Sequence, residues 1–289
     1  MKYVVVSVTN DLVTDQRVHR TCKTLKAMGF RVLLIGRKLS HSPSVKREYK
    51  TIRMRLLFNT GFCFYAGYNL RLFFRLLFTR KDILLANDLD TLLPNFLISR
   101  IFRKKLVFDS HELFSEIPEL IGRKPVQSFW LQLERFLIPK VKYGLTTSES
   151  IANYYDQQYG VTFEVIRNIP DHRKSKIQEF PFPVNGKKII LYQGALNMGR
   201  GLELMIDAMQ YVENAVFIMI GGGDIVEQLK DKVDSLNLNA KVRFLGRRSP
   251  EELNALTPGA DLGISLEEDL GLNYRYALPN KLFDYITAK

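Results

Sequence analysis

The sequence predicts an α/β protein made of two doubly wound parallel-sheet domains, and three features predict it. The chain opens as strand, helix, tight turn and strand: Tyr3–Val8, a helix after Asp15 that closes at Gly29, then Arg31–Ile35. A second strand–helix–strand unit fills Lys188–Asp224, with Ile189–Tyr192 and Ala215–Ile220 as apolar strands and Leu202, Met205, Ile206 and Met209 at helical spacing between them. Between these halves lies a Pro- and Lys-rich stretch without periodicity. A length of 289 residues suits two domains, which we place at 1–170 and 188–289 with a linker over 171–187.

The elements follow in order. Asp15 is a good N-cap, and the helix after it carries Val18, Cys22, Leu25 and Met28 on one face. Residues 37–50 are polar and basic and read as a loop before a strand over Thr51–Leu57. Phe62–Phe78 is the most apolar stretch, interrupted by Asn69, Arg71 and Arg75, with Arg80 and Lys81 just beyond. It reads either as an amphipathic helix at an anionic membrane interface, with those four cations facing the membrane, or as a sheet-flanking helix whose arginines snorkel outward. Its uninterrupted runs are too short to cross a bilayer.

Strands at Ile83–Ala86 and Lys105–Phe108 end in polar clusters, Asn87–Asp90 and Asp109–Glu112. Ligands of doubly wound sheets bind beyond the carboxyl ends of strands, so Asp88, His111 and Glu112 are candidate cleft residues. A His beside carboxylates there is an acid, a base or a hydroxyl hydrogen-bonder; a capping Asp with a structurally bonded His has the same spelling. Then come a long connection, a helix around Trp130–Ile138, a strand over Val141–Thr147, a helix capped by Ser148, and a strand at Phe163–Ile166. The second domain adds a helix over Ile225–Leu236, a strand over Val242–Leu245, a helix capped by Ser249, a strand over Asp261–Ser265 and a helix beginning near Leu278. The sequence stops inside that helix, so the second domain is expected to be incomplete.

Charge is unevenly placed. Residues 1–105 hold 21 Lys and Arg against 6 Asp and Glu, and the remainder holds 21 against 24, so the net charge of +12 comes entirely from the first third. That points to an anionic partner for the N-terminal region, nucleic acid or a membrane face, or to a basic surface that aids solubility. Two cysteines form no disulfide framework or metal pair, which suits a reducing cytoplasm. In Lys188–Asp224, glycine turns, Arg200 and a helix N-terminus make a plausible seat for a diphosphate; the same glycines serve equally as tight turns.

Asp15-Gln16-Arg17-Val18-His19-Arg20, Asn87-Asp88-Leu89-Asp90, Asp109-Ser110-His111-Glu112, Tyr192-Gln193-Gly194, Arg200-Gly201, Gly221-Gly222-Gly223 and Leu278–Tyr285, in this order, resemble the family 4 glycosyltransferases. The nearest look-alikes are bacterial enzymes of surface-polysaccharide assembly. The resemblance implies a GT-B fold, two Rossmann-like domains facing across a cleft. It also implies retaining transfer from a nucleotide-diphosphate sugar to a glycan or lipid-linked acceptor at the inner face of the cell membrane. It assigns donor binding to Gly194, Arg200, Gly222, Pro279, Asn280, Lys281 and Asp284, and catalysis to His111 and Arg200. Asp15, Arg17, Asp88 and Glu112 fall on the acceptor side.

No metal, other cofactor or nucleic acid is implied. Asp88-Leu89-Asp90 spells a metal motif but lies on the acceptor side, where it reads as a strand-end cap. The family's paired glutamates, eight positions apart, fall here on Tyr276 and Asp284, and the Arg that often follows the donor-strand glycine is Ala195. Other readings of the same chain are a GT-B sugar-nucleotide epimerase and a non-enzymatic basic module binding membrane or nucleic acid.

Overall fold

The computed structural model describes residues 1–13, 15–40, 42–120, 122–169 and 177–288. The chain divides into two units, Met1–Arg167 and Asn168–Lys289. Residues 171–176 of the expected linker lie outside the described residues, but Phe180, Phe182 and Val184 from its second half pack on the core of the second unit. That half is therefore part of a domain, because its alternate apolar residues find a face to cover.

The first unit runs β1 (Tyr3–Asp11), α1 (Gln16–Ala27), β2 (Arg31–Arg37), β3 (Lys50–Met54), α2 (Gly61–Leu77), β4 (Ile83–Asn87), α3 (Leu89–Ile101), β5 (Lys105–Ser110), α4 (Lys124–Leu137), β6 (Tyr143–Thr146), α5 (Glu149–Tyr159) and β7 (Phe163–Val165). Its sheet is parallel, in the order β3-β2-β1-β4-β5-β6-β7. Chain order reverses across β1 and β4, so their carboxyl ends form the switch point where such sheets bind ligands. Val4, Val5 and Val6 in β1 and Leu84, Leu85 and Ala86 in β4 are all buried, as strands covered on both faces must be.

α2 settles the ambiguity of the apolar stretch in part. Phe64, Tyr68, Leu72 and Leu76, four residues apart, are buried, and the Tyr68 hydroxyl donates to the Val8 carbonyl at 2.5 Å. Arg71, Arg75 and Arg80 are exposed, but Lys81 is not. Its Nζ donates to the carbonyls of Leu76 (2.7 Å), Leu77 (3.3 Å) and Thr79 (2.9 Å). Lys81 therefore does not face a membrane: its ammonium satisfies the free carbonyls at the negative end of α2. Farther along, α4 begins at Lys124, earlier than the sequence predicts, with Pro125 in its first turn where no amide hydrogen is needed.

The second unit runs β8 (Lys188–Ala195), α6 (Leu202–Ala208), β9 (Ala215–Gly222), α7 (Val226–Ser235), β10 (Val242–Gly246), α8 (Pro250–Leu256), β11 (Leu262–Gly263), α9 (Leu272–Tyr276) and α10 (Asn280–Thr287). Its parallel sheet is ordered β10-β9-β8-β11. Tyr192, Phe217, Met219, Leu202, Ile206 and Leu229 fill one face of the core. The capping box predicted at Ser249 is present, with Ser249 and Glu252 each bonding the other's backbone amide.

Candidate functional site

In the first unit the strand-exit edge gathers a charged cluster. Asp15 caps α1 by accepting from the Val18 amide at 3.0 Å. That start aims Arg17 inward, where its guanidinium donates to Asp109 Oδ1 at 2.7 Å and to the Ile166 carbonyl at 2.9 Å. Both partners of the ion pair are buried, and Arg17, which the resemblance puts on the acceptor side, ties α1 to the end of β5 and to the residue after β7.

His111 stands between two carboxylates. Nε2 is 3.2 Å from Asp109 Oδ2 and Nδ1 is 3.4 Å from Asp88 Oδ2, while its backbone amide donates to Asp88 Oδ1 at 2.8 Å. Burial alone would lower the imidazole pKa, but Asp88 and then Asp109 outweigh it and raise the value to about 9. On Asp109 burial works the opposite way, upward, yet His111 and Arg17 bring its pKa down to about 2. At neutral pH the site therefore holds an ionised Asp109 between an imidazolium and a guanidinium. The Asp88 carboxyl is pushed up by burial and pulled back by His111.

Asp88 differs from the cap the sequence predicts. It sits at the start of α3 with φ 58° and makes no side-chain cap bond. With ψ 165° as well, the backbone turns its carboxylate toward β5 and His111, a sparsely populated conformation that costs about 1–3 kcal/mol and is held by its neighbours. Asp90, from the same motif, is buried, takes a 2.5 Å bond from Thr9 Oγ1, and leaves Oδ1 without a partner. Its pKa is raised well above the carboxylate range by burial, then by Asp88. Glu112 is half-buried, and its backbone carbonyl accepts from Ser110 Oγ at 2.9 Å.

In the second unit the ends of β8 and β9 meet a loop and α10. Gly194 has φ +140°, and Gly221 packs so closely on the Gly194 carbonyl that a Cβ there would overlap it. A Cβ on Gly222 would meet the exposed Arg247 side chain at 2.8 Å. Pro279 precedes α10 in extended conformation, and Asn280 Oδ1 accepts from Asn168 Nδ2 at 2.7 Å. Lys281 follows on the buried side of α10.

Lys281 Nζ lies 2.6 Å from Glu267 Oε1 and 4.2 Å from the centre of the Tyr192 ring. Arg200 reaches the same Glu267 oxygen at 3.3 Å and lies over the Tyr274 ring at 4.5 Å. Burial lowers the Lys281 pKa, against the opposing pull of Glu267. Asp284 accepts from Gln193 Nε2 at 2.9 Å, which joins α10 to the end of β8.

The structure thus brings Gly194, Arg200 and Lys281 together around an acid that the sequence reading did not single out. Counting eight residues back from Asp284 gives Tyr276, whereas the carboxylate shared by the two cations is Glu267, on the loop after β11. The Gly201 amide, which the sequence offers to a phosphate, already donates to Glu268 Oε1 at 3.2 Å. The run Glu267-Glu268-Asp269 directly beyond a strand was the available signal. Among the described residues no group of three or more His, Cys, Asp or Glu is arranged to hold a metal.

Residues 15–173 match Glycosyltransferase Family 4, and residues 173–273 match Glycosyl transferases group 1. An uncharacterized glycosyltransferase of Methanocaldococcus jannaschii is 33% identical over 91 residues, which is 30% of this chain but only 23% of that protein. Sucrose-phosphate synthase from Thermosynechococcus elongatus superposes with a TM-score of 0.74 at 16% identity, covering 94% of this chain and 77% of that one. Anabaena HepE in complex with UDP-glucose gives 0.66 at 16% identity, covering 89% and 72%. TarM of S. aureus, in a complex that includes UDP, gives 0.71 at 10% identity, covering 100% and 84%.

Proposed function

The chain belongs to glycosyltransferase family 4 and has the GT-B fold, and from that premise we propose that it moves a sugar from a nucleoside-diphosphate sugar to a glycan or lipid-linked acceptor, with retention of configuration. The observation that carries this reading is the pair Arg200 and Lys281, both on Glu267, beside the Gly194 turn. Breaking the bond between sugar and diphosphate develops negative charge on the leaving group, and two preorganised cations in a half-buried site meet that charge. They do so without a resident cofactor. In this reading Glu267 holds both cations in place, and the diphosphate competes with it for them. The leaving phosphate helps to deprotonate the acceptor. HepE and TarM, whose structures contain UDP or UDP-glucose, support a nucleotide-linked donor.

Calorimetric titration with UDP and with GDP tests the donor site. Arg200→Ala is expected to weaken nucleoside-diphosphate affinity by roughly tenfold or more, since a charged hydrogen-bonding partner contributes about 1.5–3 kcal/mol. Unchanged affinity would remove Arg200 from the phosphate site.

We place the acceptor at an anionic membrane, reached through α2. No helix of the described residues is long and apolar enough to cross a membrane. The outer face of α2 instead exposes Phe62 (73%), Leu70 (61%) and Phe74 (52%) beside Arg71 and Arg75. An apolar stripe edged with arginines suits the interfacial plane. Substituting Ser at Phe62 and Phe74 should release the chain from vesicles of anionic phosphatidylglycerol in flotation; full retention would place the contact elsewhere.

A further inference from the structure

The edge of the first sheet opposite the candidate site is a row of cations. Each of the first six strands has a basic residue within three positions of its start, although the acid Asp82 directly precedes β4. In spatial order from β3 these are Lys50, Arg31, Lys2, Arg80, Lys105 and Lys142. Neighbouring strands lie roughly 4.8 Å apart, so the row extends about 24 Å. A cavity lies under each half. One of about 820 Å³ spans the entries of β1, β2 and β3, and five cations and one carboxylate, Glu48, line it. The other, of about 520 Å³, lies where α3 and the turn after α4 lead into β5 and β6. Arg100, Arg103, Lys104, Lys105, Lys140 and Lys142 line it, with no carboxylate.

Cations at helix C-termini have an ordinary explanation, since they complement the negative end of the helix dipole. That accounts for one or two per helix end, not for six around one cavity. Among the described residues only Lys104 of those six has an ion-pair partner, Asp82 at 3.7 Å. Like charges gathered in a concave site repel, and an anion relieves the repulsion.

The aromatic rings on this edge narrow the class of anion. Arg80 lies 4.4 Å over the Tyr3 ring, Lys81 3.9 Å over Phe102, Lys140 3.0 Å over Phe136 and Lys142 5.5 Å over Tyr143. Each ring has a cation over one face, so what that face presents is charge and not a stacking surface. We propose that the strand-entry edge of the first unit binds a linear polyanion of the repeated-phosphate class along this row, with its charged groups seated in the two cavities. This site is separate from the donor and acceptor residues and does not rest on the transferase reading.

Inorganic polyphosphate is the probe, titrated into the full chain by calorimetry, with Arg200→Ala as background so that binding at the donor site is not counted. Lys105→Gln with Lys142→Gln, both exposed, should weaken polyphosphate binding at least tenfold, while the same change at Lys188 and Lys230 in the second unit leaves it unaltered. Binding should also weaken steeply with added salt. Polyphosphate affinity equal in the edge variant and the parent overturns the proposal. So does an edge variant that loses phosphatidylglycerol vesicles when the parent chain has no affinity for polyphosphate, because the edge is then a membrane surface.

Discussion

His111→Ala is expected to lower turnover by roughly 10²–10³-fold while leaving nucleoside-diphosphate affinity within about twofold. His111 belongs to the first unit, and the residues proposed to hold the diphosphate belong to the second. Both ring nitrogens face carboxylates, Asp88 at 3.4 Å and Asp109 at 3.2 Å, so in the protein without substrate the ring is held as an oriented cation. In the proposed reaction such a group donates to a sugar or acceptor hydroxyl by giving up one of these carboxylates, and it is not a base at neutral pH. Steady-state kinetics with UDP binding measured in parallel checks the assignment. Loss of UDP binding together with turnover would contradict it.

Arg17→Met should destabilise the first unit by about 3–5 kcal/mol, the range for removing one partner of a buried ion pair. Methionine replaces the aliphatic stem, so what is lost is chiefly the guanidinium on Asp109 and the Ile166 carbonyl. Urea unfolding measures it, and a loss below about 1 kcal/mol would show that Asp109 does not depend on Arg17.

The same cluster fixes a pH dependence. The pKa of His111 is higher in the folded chain, about 9, than its usual 6.5. Its stabilising contribution is therefore complete below about 6.5 and lost as pH rises through about 9. Asp109 runs the other way: held at about 2 against 3.8, it stabilises fully above 3.8 and loses that contribution as pH falls through about 2. The midpoint of thermal unfolding should accordingly fall between pH 6.5 and 9, and His111→Ala should flatten that fall. An unchanged slope in the variant would show that another group titrates there.

Much of this architecture was legible in one sequence. Strands such as Val4–Val6, Leu84–Ala86 and Ile189–Tyr192 are covered on both faces, and burial on both faces requires unbroken apolar runs. Asp15 and Ser249 announced their helices because a free amide at a helix start selects a short acceptor side chain. The polar clusters after β4 and β5 marked a candidate site because adjacent parallel strands end at one edge. The strand read at Asp261–Ser265 is present but only two residues long, as β11, while the five-residue α9 was not read, since an element so short carries no period.

Composition and periodicity by themselves determined the α/β class, the two-unit division and which residues stand at strand ends. Only tertiary structure decided what each charge meets. It put Lys81 on the carbonyls of α2, Arg17 on Asp109, and Glu267 between Arg200 and Lys281. It also aligned six separate strand entries into one basic edge. The physical reason is that a buried strand or helix is specified by its neighbours in sequence, whereas a charged side chain is specified by partners tens of residues away, whose approach depends on sheet order.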